Sequence, residues 1–277
     1  MANWQRPQMQ RQALPQHASE RIQRMRGAQG QRFFTSDLSV KEFLLTREAG
    51  FECAGLVMGS SIYHVGYQRG NYYQNQELGV LTQALYQARE LAMARMEEEA
   101  HELGADGIIG VRLKINRHSW GESLVEFVAI GTAVFNRENP GKWRAPSGMP
   151  FTSDLSGQDF WMLLKSGFRP VSLVMGNCVY HVAHQTLGGW FSSVGANQEM
   201  PNFTQALYDA RELAMERMQY EAQLDGATGV VGTEIYESTH GGWDSHVIEF
   251  FAVGTSVLPI ETHDKPPEPQ LVMTVNE

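Results

Sequence analysis

The chain has 277 residues, 42% of them hydrophobic and 19% charged, a globular composition of two-domain length with no apolar run of about 18 residues to span a membrane. Its net charge of −9 is unevenly spread: residues 1–32 carry six arginines and one glutamate, net +5, and the rest carries 16 basic and 30 acidic side chains, net −14. An acidic body repels nucleic acid, and two cysteines, Cys53 and Cys178, exclude a disulfide framework, so a reducing cytoplasm is the expected home.

Residues 1–32 are rich in Gln and Arg and lack the apolar core of a secretory signal; they read as a disordered basic arm able to touch an anionic partner or a membrane surface. Within it, Ile22 and Met25 offer one or two amphipathic turns. A first module follows over 33–136. Asp37 is placed to cap a short helix ending near Gly50. Residues 51–65 are β-branched and aromatic, which predicts a strand pair or one long strand, with Gly59 marking a bulge or bend. Leu81, Leu85, Ala88, Ala92, Met96, Ala100 and Leu103 recur at spacings of three and four and predict a helix with one apolar stripe. Gln83, Gln87, Glu90, Glu97, Glu98 and Glu102 cover its other side, and Gly104 supplies the stop. Val111, Leu113 and Ile115 alternate with Arg112, Lys114 and Asn116 in a half-buried strand. After a turn at 119–121, residues 124–135 return as a strand apolar on nearly every position. Such a strand needs cover on both faces. One helix layer covers one face, so the other calls for the second module or another subunit, and assembly beyond the single chain is the favoured expectation.

A linker at 137–150 holds Pro140, Gly141, Pro146, Gly148 and Pro150. A second module at 151–259 then repeats the first. FTSDLS occurs at 34–39 and at 151–156, LVMG at 56–59 and at 173–176, and TQALYQARELAMARM at 82–96 returns as TQALYDARELAMERM at 204–218. About 45 of roughly 100 aligned positions are identical, and the two length differences fall where loops are expected. Gly176 and Gly226 match Gly59 and Gly104, and Asp154 and Gly167 match Asp37 and Gly50. The tail at 260–277 is proline-rich and ends on Leu271, Val272, Met273 and Val275, an apolar peptide of the kind that docks by strand addition.

The long helix with ALYQAREL, then LGADGIIGV, a hairpin and VAIGTAVF, repeated as ALYDAREL, DGATGVVGT and FAVGTSVL, resembles the YbjQ-like family, also known as heavy-metal-binding domains. The resemblance spans both modules and neither tail. It implies an α+β, dodecin/YbjQ-like fold: two tandem two-layer modules, each an antiparallel β-sheet with one long helix, in a bacterial protein that forms a pentameric ring. It implies no established enzyme activity. One departure stands out. A Gly-Gly-Arg-Ser run usual before the family's helix is replaced here by Asn75-Gln76-Glu77-Leu78-Gly79-Val80, and by 197–202 in the second copy. Two modules per chain allow five chains to stack two five-module rings, or ten chains to form a larger assembly, whereas a single ring of whole chains needs an even module count.

Candidate chemistry is sparse. His64 and His181 share the YHV position and, with Cys53 and Cys178, are the candidate ligands for a heavy or transition metal ion. The cysteines do not match between copies, which favours small core residues instead. Hairpin residues His118, His240 and His246 read as exposed turn residues. Glu126 and Glu249 sit mid-strand in apolar surroundings and need partners, for which Arg89 or Arg211 on the helices, or a neighbouring subunit's arginine, qualify; an interface salt bridge is the favoured reading. The glycines of GADGIIG follow a helix and enter a strand, the wrong order for a dinucleotide fingerprint. The sequence therefore points to a non-enzymatic, ring-forming scaffold or binding module with partner-recruiting tails, and alternatively to a heavy-metal-binding protein.

Overall fold

The computed structural model describes residues 14–26, 33–64, 71, 73–117, 124–183, 201–239 and 246–260. The first module comprises α2 (Val40–Glu48), β1 (Phe51–His64), β2 (Gln76–Glu77), α3 (Gly79–Glu102), β3 (Gly107–Arg117) and β4 (Leu124–Asn136), preceded by α1 (Gln16–Arg26). The second comprises β5 (Phe151–Thr152), α4 (Gly157–Lys165), β6 (Phe168–His181), α5 (Pro201–Leu224), β7 (Gly229–Thr239) and β8 (Val247–Pro259). Each module is an antiparallel sheet with its long C-terminal strand in the middle: β1 and β3 flank β4, and β6 and β7 flank β8.

Two-residue strands exchange between the modules. β2, from the first module, pairs antiparallel with β6 at Gln76↔His181 and Glu77↔Tyr180. β5, which opens the second module, pairs parallel with β3 at Gly107↔Phe151 and Ile108↔Thr152. The sheets therefore run β1-β4-β3-β5 and β2-β6-β8-β7, and neither is built from one module alone.

The long strand at 51–64 is single and unbroken at Gly59, which stays in register opposite Ala129. The expected bulge lies instead between Cys53 and Gly55, and between Pro170 and Ser172 in the second copy. Gly59 has a different reason. A Cβ there would lie 2.0 Å from the Ala92 carbonyl oxygen of α3, and one at Gly176 would lie 2.0 Å from the Ala214 carbonyl oxygen of α5. Only glycine lets strand and helix backbones approach that closely. The expected cap also moves. Ser39, not Asp37, caps α2: its hydroxyl accepts from the Glu42 amide while the Glu42 carboxylate accepts from the Ser39 amide at 2.7 Å. The Ser39 hydroxyl first, and then its amide, hold the Glu42 carboxyl below its ordinary value. Ser156 caps α4. Asp37 and Asp154 accept instead from the hydroxyls of Thr132 and Thr255 on the central strands.

The basic arm, expected to be disordered throughout, contains helix α1. Ile22 and Met25 join the main core beside Ala54, Val57 and Leu103, and Arg21 donates to the Leu56 carbonyl at 2.8 Å and pairs with Glu99. The apolar face that suited a membrane surface is thus spent on the first module, because an amphipathic turn beside a hydrophobic sheet edge gains more by burial than by exposure. The linker is likewise tied down. Asp106 accepts from the amides of Asn136, at 2.7 Å, and Gly141, and Trp143 packs edge-on against Phe51 at 5.3 Å. Phe51, Phe151 and Phe160 then form a small core that belongs to both modules.

The main core joins Leu85, Ala92, Met96 and Phe127 of the first module to Met175, Val179, Phe251 and Val253 of the second. Its centre is α3, which lies between its own sheet and the outward face of the β6–β8 sheet. The predicted apolar stripe is buried, and so are Thr82, Tyr86, Arg89, Glu90 and Met93 on other sides of the helix. Glu90, expected on a solvated face, is enclosed because a second sheet covers that side. No helix among the described residues is long and apolar enough to cross a membrane.

Candidate functional site at the module junction

The junction begins at β2. Leu78 donates its amide to the Val179 carbonyl at 2.8 Å, and the Thr82 hydroxyl accepts from the Val179 amide at 2.9 Å. Asn177 donates its side-chain amide to the Thr82 carbonyl at 3.1 Å. Arg217 of α5 binds the Asn177 carbonyl at 2.6 Å and pairs with Glu77 at 2.8 Å, and Asn75 accepts from the Ala183 amide at 2.7 Å. The start of α3 and the strand before it therefore act as a docking edge that satisfies the buried backbone groups of β6. Thr82 and Arg217 were not singled out from the sequence, and Glu77 stood out only as part of the run that departs from the family's pattern. The signal available was that each is a polar residue retained in both copies, as Thr204, Glu199 and Arg95.

Deeper in the junction, Arg89 of α3 meets Glu249 of β8 at 2.6 Å, both buried. The guanidinium lies between the rings of Phe127 and Phe251, at 5.1 and 4.2 Å from their centroids. The desolvated pair is thereby held by a neutralising charge and two aromatic faces. The Arg89 Nε and Nη1 donors are also buried and meet no acceptor among the described residues. Beside the Arg89–Glu249 pair opens a cavity of about 470 Å³ between β3 and the β7–β8 pair, lined by Val111, Leu113, Ile115, Tyr236, Phe251 and Val253, with Asp154, Glu234 and Glu237 among its polar walls. Burial pushes the Asp154 carboxyl up, and the hydrogen bond from the Tyr236 hydroxyl to Glu234 pushes that phenol up to about 12.

The candidate metal ligands do not converge. Among the described residues no group of three or more His, Cys, Asp and Glu side chains is placed to hold an ion. His64 ends β1 eleven residues from Cys53, some 35 Å along an extended strand at about 3.3 Å per residue. Cys178 packs into the core under α5, whereas His181 lies on the opposite face of β6 with its Nδ1 3.3 Å from the Gln74 carbonyl. Burial pushes the thiols up to about 11 at Cys53 and about 12 at Cys178, which disfavours the thiolate a soft metal requires. These residues do not fit a metal centre. Glu126, the counterpart of Glu249, accepts from Asn116 at 3.1 Å, and Arg211, the counterpart of Arg89, pairs with Glu212 at 2.9 Å. His246 stacks obliquely near Phe203. His118, His240 and the peptide at 271–275 lie outside the described residues.

The junction has an asymmetry. The outward face of the β6–β8 sheet is covered by α3, but the same face of the β1–β4 sheet is open. Met175 and Val179 are 1% and 0% exposed, and their counterparts Met58 and Ile62 are 48% and 53% exposed. The complementary surface is open too. On α5, Tyr208 is exposed and Phe203, Leu207 and Met215 are half-buried. The β3 edge carries β5, while β7 has no such strand among the described residues, and Phe34, the counterpart of the buried Phe151, is exposed.

The YbjQ-like family profile, described as "Putative heavy-metal-binding", matches residues 52–137 and 169–259, one match in each module. A Mycobacterium tuberculosis (H37Rv) relative named Encapsulin nanocompartment protein Rv1762c is 52% identical over 249 residues, 90% of this chain and 93% of that protein. UPF0145 proteins of Clostridium perfringens and Halorubrum lacusprofundi are 39% identical over 88 residues and 38% over 103. Each match takes up about a third of this chain, 30% and 35%, and most of the relative, 81% and 96%. Those relatives are therefore about one module long.

Proposed function

This chain belongs to the YbjQ-like family in two tandem copies, and we propose that it is a non-enzymatic scaffold that assembles head to tail into a ring by repeating its own module junction between chains. The support is the asymmetry of the junction: one complete interface inside the chain, and its two complementary halves left open at the ends. A heterologous contact of this kind propagates until it closes. In the repeat, α5 of one chain covers the Met58–Ile62 face of the next, Arg211 pairs with Glu126 as Arg89 pairs with Glu249, and residues 34–35 add to β7 as β5 adds to β3. Every chain brings two consecutive modules, so such a ring contains an even number of them. The name of the Mycobacterium tuberculosis relative places that protein in an encapsulin nanocompartment, and the reading extends to this chain a structural place in such a compartment.

Native mass spectrometry and circular dichroism test the reading. The unaltered chain is expected at one discrete multiple of the chain mass. Met58→Asp with Ile62→Asp, on a face open in the single chain, is expected to give a folded monomer. Arg211→Glu is expected to weaken assembly and Glu126→Arg in the same chain to restore it. A chain that stays monomeric at tens of micromolar, or an assembly untouched by Met58→Asp with Ile62→Asp, overturns it.

A further inference from the structure

The first sheet shows what the edge of the second lacks. β5 lies along β3: the Phe151 amide donates to the Asp106 carbonyl, the Ser153 amide to the Ile108 carbonyl, and the Val111 amide to the Ser153 carbonyl, each at 2.9 Å. The Phe151 ring covers Gly107, where a Cβ would lie 2.1 Å from it. The same edge of β7 is bare among the described residues. Thr228, Gly229 and Thr233 are exposed, whereas their counterparts Asp106, Gly107 and Val111 are buried. A Cβ at Gly229 would meet nothing closer than Val257, at 3.9 Å. An open edge of this kind is a template for an added strand.

The chain carries a segment matched to that slot. Both modules release the backbone in the same way: Arg137 donates to the Gly50 carbonyl after β4, and Ile260 to the Gly167 carbonyl after β8. A connection holding Pro140, Pro146 and Pro150 then leads to Phe151-Thr152, with Phe151 15 residues beyond Asn136. A connection holding Pro266, Pro267 and Pro269 leads to Met273-Thr274, with Met273 14 residues beyond Pro259. Extended, such a connection spans roughly 45 Å, ample for the roughly 10 Å across two strand spacings. Leu271, Val272, Met273 and Val275 are apolar, and Glu277 is the only charge after Glu268. The other pair of this kind, Phe34-Thr35, is engaged elsewhere within the chain, where Phe34 stacks on Phe43 of α2 at 5.5 Å.

We propose that in the single chain the segment 271–275 adds to β7 in parallel, as β5 adds to β3. Met273 then covers Gly229, the Met273 and Val275 amides donate to the Thr228 and Val230 carbonyls, and the Val275 carbonyl accepts from the Thr233 amide. The tether keeps the segment at a high local concentration, so a short strand suffices. Residues 34–35 of a neighbouring chain need the same slot, which makes the segment a removable cap on the assembling edge. That last consequence alone rests on the head-to-tail reading.

Hydrogen exchange at residue resolution tests the cap in the chain carrying Met58→Asp with Ile62→Asp, where no neighbour supplies residues 34–35. The Thr233 amide is expected to exchange at least about tenfold faster once residues 271–277 are deleted. Val275→Pro, which removes a donor facing β7, is expected to do the same. Thr274→Pro, whose nitrogen faces away from β7, is expected to leave Thr233 protected. All three changes lie outside both modules, so circular dichroism is expected to stay the same. In the otherwise unaltered chain, the deletion is expected to lower the concentration of half-assembly about tenfold by native mass spectrometry. Equal Thr233 exchange with and without residues 271–277, or equal effects of the two prolines, overturns the cap. A deletion that raises the concentration of half-assembly also overturns it, in favour of docking on a neighbouring chain. A chain that is monomeric at every concentration sinks the head-to-tail reading, and the Thr233 exchange then decides the cap by itself.

Discussion

Helices α3 and α5 are nearly the same sequence in different surroundings. Over 82–96 and 204–218 they differ at two of fifteen positions, Gln87 against Asp209 and Ala94 against Glu216. Yet Tyr86 is 1% exposed and Tyr208 is 51% exposed. Arg89 crosses to a buried carboxylate on the other module, whereas Arg211 turns to its neighbour Glu212 and stacks over Tyr208 at 4.4 Å. The first helix has a sheet on two sides and the second on one. The same side chains that form a core in one copy form a surface in the other, so the repeated apolar and aromatic residues of α5 are a core without its second wall.

The comparison can be broken hardest at the arginines. Arg89→Ala strands the Glu249 carboxylate in the junction and is expected to cost about 3–5 kcal/mol in urea denaturation. Arg211→Ala, measured on the monomeric chain, is expected to stay within about 0.5 kcal/mol. Equal losses at the two positions would mean that α5 is already enclosed. The glycines sharpen the comparison from the other side. Gly59→Ala and Gly176→Ala put a methyl group against a helix carbonyl that is equally close in both modules, so each is expected to cost about 1–3 kcal/mol, and by similar amounts. A difference between them would show that the helix–strand contact is softer in the less enclosed module.

The smallest effect separates the two cysteines. Burial raises the folded-state value of Cys178 from 9.0 to about 12, so above the ordinary thiol value the unfolded chain releases a proton that the folded chain retains. Stability is then complete below about pH 9 and falls as the pH rises toward 12, by about 1–2 kcal/mol over the accessible part of that window. Urea midpoints measured at pH 7 and pH 10 are expected to fall less in Cys178→Ala than in the unaltered chain. Cys53, which reaches about 11, is expected to contribute a smaller change.

Much of one module was legible because its signals are local. The three- and four-residue spacing from Leu81 to Leu103 marks α3, Gly50 and Gly104 mark stops where φ is positive, and the apolar run at 124–135 marks a central strand. Features that depend on contact across the sequence were misread. Gly59 looks like a bulge in a strand, but its missing Cβ answers to Ala92, 33 residues away. Asp37 looks like a cap, yet its carboxylate is taken by Thr132 on the central strand, leaving the cap to Ser39. The arm at 16–26 has a composition that reads as disordered, and it folds because Ile22 and Met25 find Gly55 and Leu103 waiting. At the junction, Glu249 advertised a need for a partner, but nothing local says whether Arg89 or Arg211 supplies it.

The sequence by itself determined that there are two copies of one α+β module, where their helices and strands lie, and that each sheet has apolar residues on both faces. Periodicity and repetition encode these things residue by residue, and they survive without knowledge of neighbours. Only the tertiary structure decided that the modules trade short strands, that α3 is the shared wall, and that the β1–β4 face and α5 are the surfaces left open. Two sheets with the same appetite for cover compete for a limited number of helices, and which one is satisfied depends on the path of the chain between them rather than on the residues they carry.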